Sequence, residues 1–151
     1  MAGANGAVSG VDMVDAFGNT IRFDGDDSRG VEPAIGDIWA IAGPSGPTPV
    51  LVTGHIDGRP TVFPVTTRRS GGRAITAAGS ANPLCAWPEF EFKLRPGAAI
   101  RRVGVLDRRG TLMALAGASA LTPVVDRTDP TAAEAAEDAV FEHVMAVGRM
   151  P

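Results

Sequence analysis

Cysteine, histidine, tyrosine and lysine are scarce or missing in this chain of 151 residues, and the shortages close off whole classes of chemistry. Cys85 is the single cysteine, so an intramolecular disulfide is excluded, and so is a cysteine-based zinc site within one chain. With no histidine near it in sequence, Cys85 reads as a small packed hydrophobe and not as a nucleophile. His55 and His143 are the only histidines, far apart in sequence, and each reads as a satisfied or solvated side chain, which leaves metal catalysis with little support. No stretch reaches the roughly 18 consecutive apolar residues of a membrane-spanning helix. The opening "MAGANGAVSG" lacks the basic start and apolar run of a targeting signal. The expectation is a soluble chain with no membrane partner, in a reducing, cytoplasmic setting.

Tyrosine is absent and lysine occurs once, so 13 of the 14 basic residues are arginine. They are unevenly placed. Residues 59–109 hold ten basic and three acidic residues, a charge of +7 within a chain whose net charge is −3. Such a block attracts phosphate-bearing polymers, and guanidinium offers phosphate oxygens a planar fork where ammonium offers a point charge. An alternative source of the same bias is GC-rich coding, which favours alanine, glycine and arginine together.

The pattern along the chain is that of short strands followed by one helix. "VDMVDAFGNTIRF", 11–23, predicts a hairpin turning at Gly18-Asn19. The acidic "DGDDSRGVEP" departs from the calcium-loop pattern, because the sixth and twelfth positions from Asp24 are Arg29 and Ile35. "IGDIWAIAG", 35–43, predicts a strand, and the breaker run "GPSGPTP" a loop. Asp57-Gly58 between "VLVTGHI" and "PTVFPVTT" predicts a type I′ hairpin, since both residues tolerate positive φ. Pro60 and Pro64 cannot donate to a ladder, so the second strand is expected at an edge or with a bulge near Pro64 that re-aims Thr66 and Thr67. "RAITAAG" predicts a short strand and "SANPLCAWP" a loop anchored by a partly buried Trp87. "EFEFKL" alternates as a strand with Phe90, Phe92 and Leu94 on one face. "AAIRRVGVL" predicts a strand with Arg101 and Arg102 on opposite faces. "DRRGTLMALAGASAL" fits a turn and strand or a short helix equally.

"DPTAAEAAEDAVFEHVMAVG" predicts a helix capped by Asp129, opened by Pro130 and closed by Gly148. Its apolar stripe is Ala133, Ala136, Val140, Phe141, Val144 and Met145, expected to pack on the chain's own barrel. The order predicts a mainly β fold, a small, strongly curved barrel with a C-terminal α-helix, ahead of an open sheet with one helix across it. Residues 1–33 read as an N-terminal extension with a short hairpin, 34–122 as the barrel core, and 123–151 as linker and helix.

Four pieces in this order, "GDIW" (36–39), "PVLVT" (49–53), "TVFPVTTR" (61–68) and "IRRVGVLDRRGTLMAL" (100–115), resemble the MazF/PemK family of toxin endoribonucleases. The resemblance spans residues 35–118. It implies an SH3-like barrel, a homodimer, cofactor- and metal-independent cleavage of single-stranded RNA, and an antitoxin partner that blocks the groove. A threonine after the central strand binds and activates the scissile phosphate in that family, and Thr66 occupies the matching position. The family's arginine, just before the proline of the "PVLVT"-like strand, is Thr48 here. Arg68, two residues past Thr66, is the candidate substitute. It would act as a stabiliser of transition-state charge and not as a base, because guanidinium stays protonated. Thr67, Arg69, Arg73, Arg95, Arg101 and Arg102 are the candidates for positioning the strand. The chemistry would be attack of a neighbouring 2′-hydroxyl on phosphorus, with fixed donors neutralising the equatorial oxygens.

Two other readings stand beside this one. The glycine- and proline-rich loops and Thr48 fit a non-catalytic barrel that builds an assembly, as a virion component or adaptor. The +7 block alone fits a module that binds nucleic acid without cutting it, with affinity falling steeply with salt. The quoted threonines and arginines also have a plain structural reading, as strand residues and solvated strand ends.

Overall fold

The computed structural model describes residues 10–24, 32–106, 122–125, 129 and 131–149. In chain order its strands are β1 (Val11–Val14), β2 (Thr20–Phe23), β3 (Asp37–Ile41), β4 (Thr48–Ile56), β5 (Arg59–Thr67), β6 (Arg73–Ile75), β7 (Ala77–Ala78), β8 (Leu84–Ala86), β9 (Phe92–Lys93), β10 (Ala99–Leu106) and β11 (Thr122–Pro123). A short 3-10 turn covers Pro88–Phe90, and the helix α1 runs Ala132–Arg149. The fold is mainly β with a nearly closed antiparallel barrel and one C-terminal helix, as the strand and helix signals predict.

Closure follows from the strand order, β11-β6-β8-β5-β4-β3-β10-β7, with β9 also on β5. β6 and β7 lie near opposite ends of this path, yet only Thr76 separates them in sequence. The "RAITAAG" segment therefore steps from one end of the sheet to the other and brings the two ends together.

The β4–β5 hairpin turns at Asp57 (φ 54°) and Gly58 (φ 76°), both left-handed as a type I′ turn requires, and pairs Ile56 with Arg59. The prolines of β5 sit differently from expectation. β5 is an interior strand, and the bulge falls on β4 between Val52 and Gly54. The sheet tolerates Pro60 and Pro64 because their carbonyls, accepting from Leu94 N–H and Trp87 N–H, face the side where β9 and β8 begin and end. The carbonyls opposite the missing donors accept from elsewhere, Leu94 O from Arg59 Nε and Trp87 O from the Phe90 N–H.

Alternation divides the sheet into two buried layers. Ile38, Ala40, Leu51, Phe63, Val65, Leu84 and Ala86 face the barrel interior, where Met13, Ile21 and Phe23 from the β1–β2 hairpin join them. Trp39, Ile41, Val50, Val52 and Val62 face outward and are covered by Leu94 and by Val147 of α1. Cys85 and Trp87 are covered by Ala136 and Val140 of the same helix. Because α1 roofs the outer face, β3 is buried at all five positions.

Several local expectations are corrected. The first hairpin turns through a five-residue loop, 15–19, organised by Asp15, and not at Gly18-Asn19 alone. "SANPLCAWP" contains a strand, and Trp87 is fully buried. "EFEFKL" begins as a 3-10 turn, yet Phe90, Phe92 and Leu94 still lie inward of Glu89, Glu91 and Lys93. α1 opens as expected, with the Asp129 carboxylate accepting from the Thr131 N–H and hydroxyl. It does not close at Gly148, and its buried stripe is Ala136, Val140 and Val147, leaving Phe141 and Met145 exposed. The helix end is satisfied by Arg95, whose guanidinium donates to the Gly148 carbonyl. The "DRRGTLMALAGASAL" segment, most of the acidic loop and Pro130 lie outside the described residues.

Candidate functional site

The two threonines singled out in sequence point to opposite faces of β5: Thr66 lies in the buried outer layer beside Cys85 and Trp87, and the half-buried Thr67 turns toward the first hairpin. Thr66 has no exposed surface. Its hydroxyl accepts from Trp87 Nε1–H at 2.8 Å, donates to the Thr67 carbonyl at 2.7 Å, and lies 3.3 Å from Cys85 Sγ. The bonding capacity of a hydroxyl is thereby used within the protein. Thr67 is bound just as closely: its N–H and hydroxyl both donate to Asp15 Oδ2, at 2.8 and 2.7 Å, and its Oγ1 accepts from Asn19 Nδ2. Asp15 Oδ1 accepts from the Phe17 and Asn19 N–H groups. This nearly buried carboxylate, which the sequence reading passed over, ties the first hairpin to the end of β5.

Thr48, at the position of the family's arginine, is also buried, with its hydroxyl 3.1 Å from His143 Nε2 on α1. The helix thus covers both Thr66 and Thr48. Burial sets the titration of the groups around them: it pushes the Cys85 thiol up and the His143 imidazole down from their ordinary values.

The candidate arginines are not gathered around Thr66. Arg68 lies past the end of β5, exposed, with its Nε donating to the Leu84 carbonyl. Arg69 is exposed too, its guanidinium 4.8 Å from the centre of the Phe17 ring. These two share a groove of about 770 Å³ against the first half of α1. Arg95 and Arg101 border a different cleft, and Arg73 and Arg102 are not among the described residues lining either one.

The second cleft, about 640 Å³, lies like the first within the ~300–1,000 Å³ range of binding sites, and it draws arginines from three separate elements. Arg59 comes from the first position after the I′ turn, Arg95 from the loop after β9, and Arg101 from β10. His55 on β4 and Glu32 complete its charged and titratable lining, while Leu94, Pro60 and Ile100 supply apolar wall. Backbone carbonyls hold two of the guanidiniums: Arg59 Nε donates to Leu94 O at 2.7 Å, and Arg95 to Gly148 O. His55 Nε2 lies 2.9 Å from the Pro33 carbonyl, so in the neutral tautomer that donates there, Nδ1 is left as an acceptor. Arg101 is half-buried beside a break in register between Ala99 and Arg101, the irregularity that lets a strand re-aim a side chain.

Sequence reasoning placed Arg59 in the basic block without choosing it, and set His55 aside. The signal for both was the Asp57-Gly58 turn, which brings the strand ends carrying them side by side as the His55–Pro60 and Ile56–Arg59 pairs. Among the described residues no group of three or more His, Cys, Asp or Glu side chains is arranged to hold a metal ion, and no helix is long and apolar enough to cross a membrane. No protein-family model matches the chain, and neither does any curated protein.

Proposed function

We propose that this chain is a nucleic-acid-binding β-barrel module that holds single-stranded RNA across the Arg59–Arg95–Arg101 cleft and does not cut it through Thr66. The observation that supports this reading is that three arginines, from three separate elements, line one open cleft with apolar wall. Guanidiniums fixed on a rigid frame take phosphate oxygens in a forked geometry, and the apolar wall accommodates the faces of sugars and bases. Binding without cleavage is supported by the cover over Thr66 and Thr48. A hydroxyl with no exposure, already bonded to Trp87 and Thr67, is not placed to meet a phosphate, and Thr48 supplies no charge there.

Labelled single-stranded RNA titrated at several salt concentrations tests the reading. Affinity should fall with salt with a logarithmic slope of about −2, as expected for some three phosphate contacts. Arg59→Ala with Arg101→Ala should flatten that slope and weaken binding, while Thr66→Ser should change neither. Absence of binding, or binding indifferent to the two arginines, overturns the proposal. RNA cleaved in EDTA by the wild type but not by a folded Thr66 variant would restore the ribonuclease reading.

A further inference from the structure

The groove of Arg68 and Arg69 carries a separate set of polar groups that RNA binding at the cleft leaves unused. The chain leaves β5 through a tight turn in which Gly72 N–H donates to the Arg69 carbonyl and Gly71, at the third position, has φ 98°, the arrangement of a type II turn. Two further bonds fix this turn on β11's continuation: Gly71 N–H donates to the Val124 carbonyl, and Val124 N–H to the Gly72 carbonyl. A β-carbon at Gly71 would lie 3.1 Å from the Trp87 ring, so the turn is pressed against the buried layer below. Arg68, Arg69 and Ser70 are therefore presented by a rigid piece of backbone.

Ser70 stands out within it. The residue is 8% exposed, and its Oγ is buried with no hydrogen-bond partner among the described residues. Buried hydroxyls are ordinarily paired, so an orphan is a place to look for a ligand. Ser70 lines the same groove as Arg68, Arg69 and the first turns of α1, where Ala132, Ala135 and Ala136 leave room beside the helix. The N-terminal end of an 18-residue helix favours negative charge. Asp129 also lines the groove, but its Oδ1 is engaged with the Thr131 N–H and hydroxyl, and two guanidiniums stand against that one carboxylate.

We infer that this groove is a phosphomonoester site, in which Arg68 and Arg69 bind the phosphate oxygens and the Ser70 hydroxyl, turned about its Cα–Cβ bond, donates to one of them. A phosphomonoester suits the arrangement better than a phosphodiester because its extra charge and third terminal oxygen give each of the three side chains an oxygen of its own. Phosphomonoesters come from two sources, free small molecules and the 5′ end of a nucleic acid.

The test follows the amide spectrum of the full chain, at Gly71 and Gly72, against inorganic phosphate, adenosine monophosphate, and a short RNA bearing either a 5′-phosphate or a 5′-hydroxyl. Saturable shifts with inorganic phosphate or the mononucleotide assign a free ligand. Shifts with the 5′-phosphorylated RNA that the 5′-hydroxyl RNA does not produce assign a strand end. Ser70→Ala removes a hydroxyl that has no partner, so the variant should fold as stably as the wild type and bind the phosphate about tenfold more weakly. Arg68→Ala should weaken it further, and Arg59→Ala with Arg101→Ala should leave it unchanged. Shifts with none of these ligands, or equal binding by wild type and a folded Ser70→Ala, overturn the inference.

Discussion

The end of β5 and the turn after it are adjacent in sequence and opposite in environment. Thr66 is bonded to Trp87 beneath the helix and Thr67 to Asp15 and Asn19 of the first hairpin, whereas Arg68 and Arg69 stand exposed at the rim of a groove. Both pairs are residue types suited to phosphate. What separates them is the covering, by α1 over Thr66 and by the first hairpin over Thr67, and the lesson is that a polar group's chemistry is decided by what packs over it. α1 also links the two basic regions. Its first turns border the groove of Arg68 and Arg69, and near its end the Gly148 carbonyl accepts from Arg95, a residue of the cleft lining.

The sharpest way to break this contrast is at Asp15, which accepts four hydrogen bonds at one nearly buried carboxylate. Asp15→Ala leaves the Thr67 and Asn19 donors unsatisfied and should cost about 3 kcal/mol. Thermal unfolding should show this as a loss of roughly 10 °C. A smaller effect is expected at Thr66→Val, which keeps shape but leaves the Trp87 indole N–H unpaired in the interior. Denaturant unfolding should report a loss of about 1–3 kcal/mol, with RNA affinity unchanged. If that variant lost RNA affinity while keeping its stability, the threonine side of the contrast would fail.

Titration should mark the same division, because Cys85 lies under the helix and His143 sits on the face of α1 that covers Thr48. His143 is held below its ordinary value of 6.5, so the unfolded chain takes up a proton first as acidity rises. Stability should therefore fall as the pH drops below about 6.5. Cys85 is held above its ordinary value of 9.0, so the unfolded chain loses its proton first on the alkaline side, and stability should fall as the pH rises past about 9. Thermal melts of the wild type, His143→Gln and Cys85→Ala check both limbs, each variant flattening its own. The smallest change belongs to the rim: Arg68→Ala should alter stability by less than about 0.5 kcal/mol, since its side chain is exposed.

Much of the fold was legible from local chemistry. Asp57-Gly58 announced its turn because few residues tolerate two successive left-handed conformations, and the Asp129 cap and apolar spacing announced the helix. The phase of the helix was less legible. Phe141 and Met145 fit the stripe by spacing but stay exposed, Phe141 reaching only the edge of the cluster at the Phe90 ring, because Ala136 and Val140 take the positions against Cys85 and Trp87. The alternation of "EFEFKL" predicted which side chains turn inward but not the backbone carrying them, since a 3-10 turn and a strand can both bury alternate residues over so short a run.

The site was legible as a quantity and not as a place. A block of +7 follows from counting, and the arginine-rich composition names the ligand chemistry to look for. The sequence by itself determined the strands, the tight hairpin, the capped helix and the excess of guanidinium, because each depends on residues within a few positions of one another. Only the tertiary structure decided that Thr48 and Thr66 lie beneath the helix, that Arg59, Arg95 and Arg101 line one cleft, and that Ser70 Oγ has no partner among the described residues. Those outcomes depend on which distant surfaces close over one another, and the packing of α1 on the barrel sets that jointly for all of them.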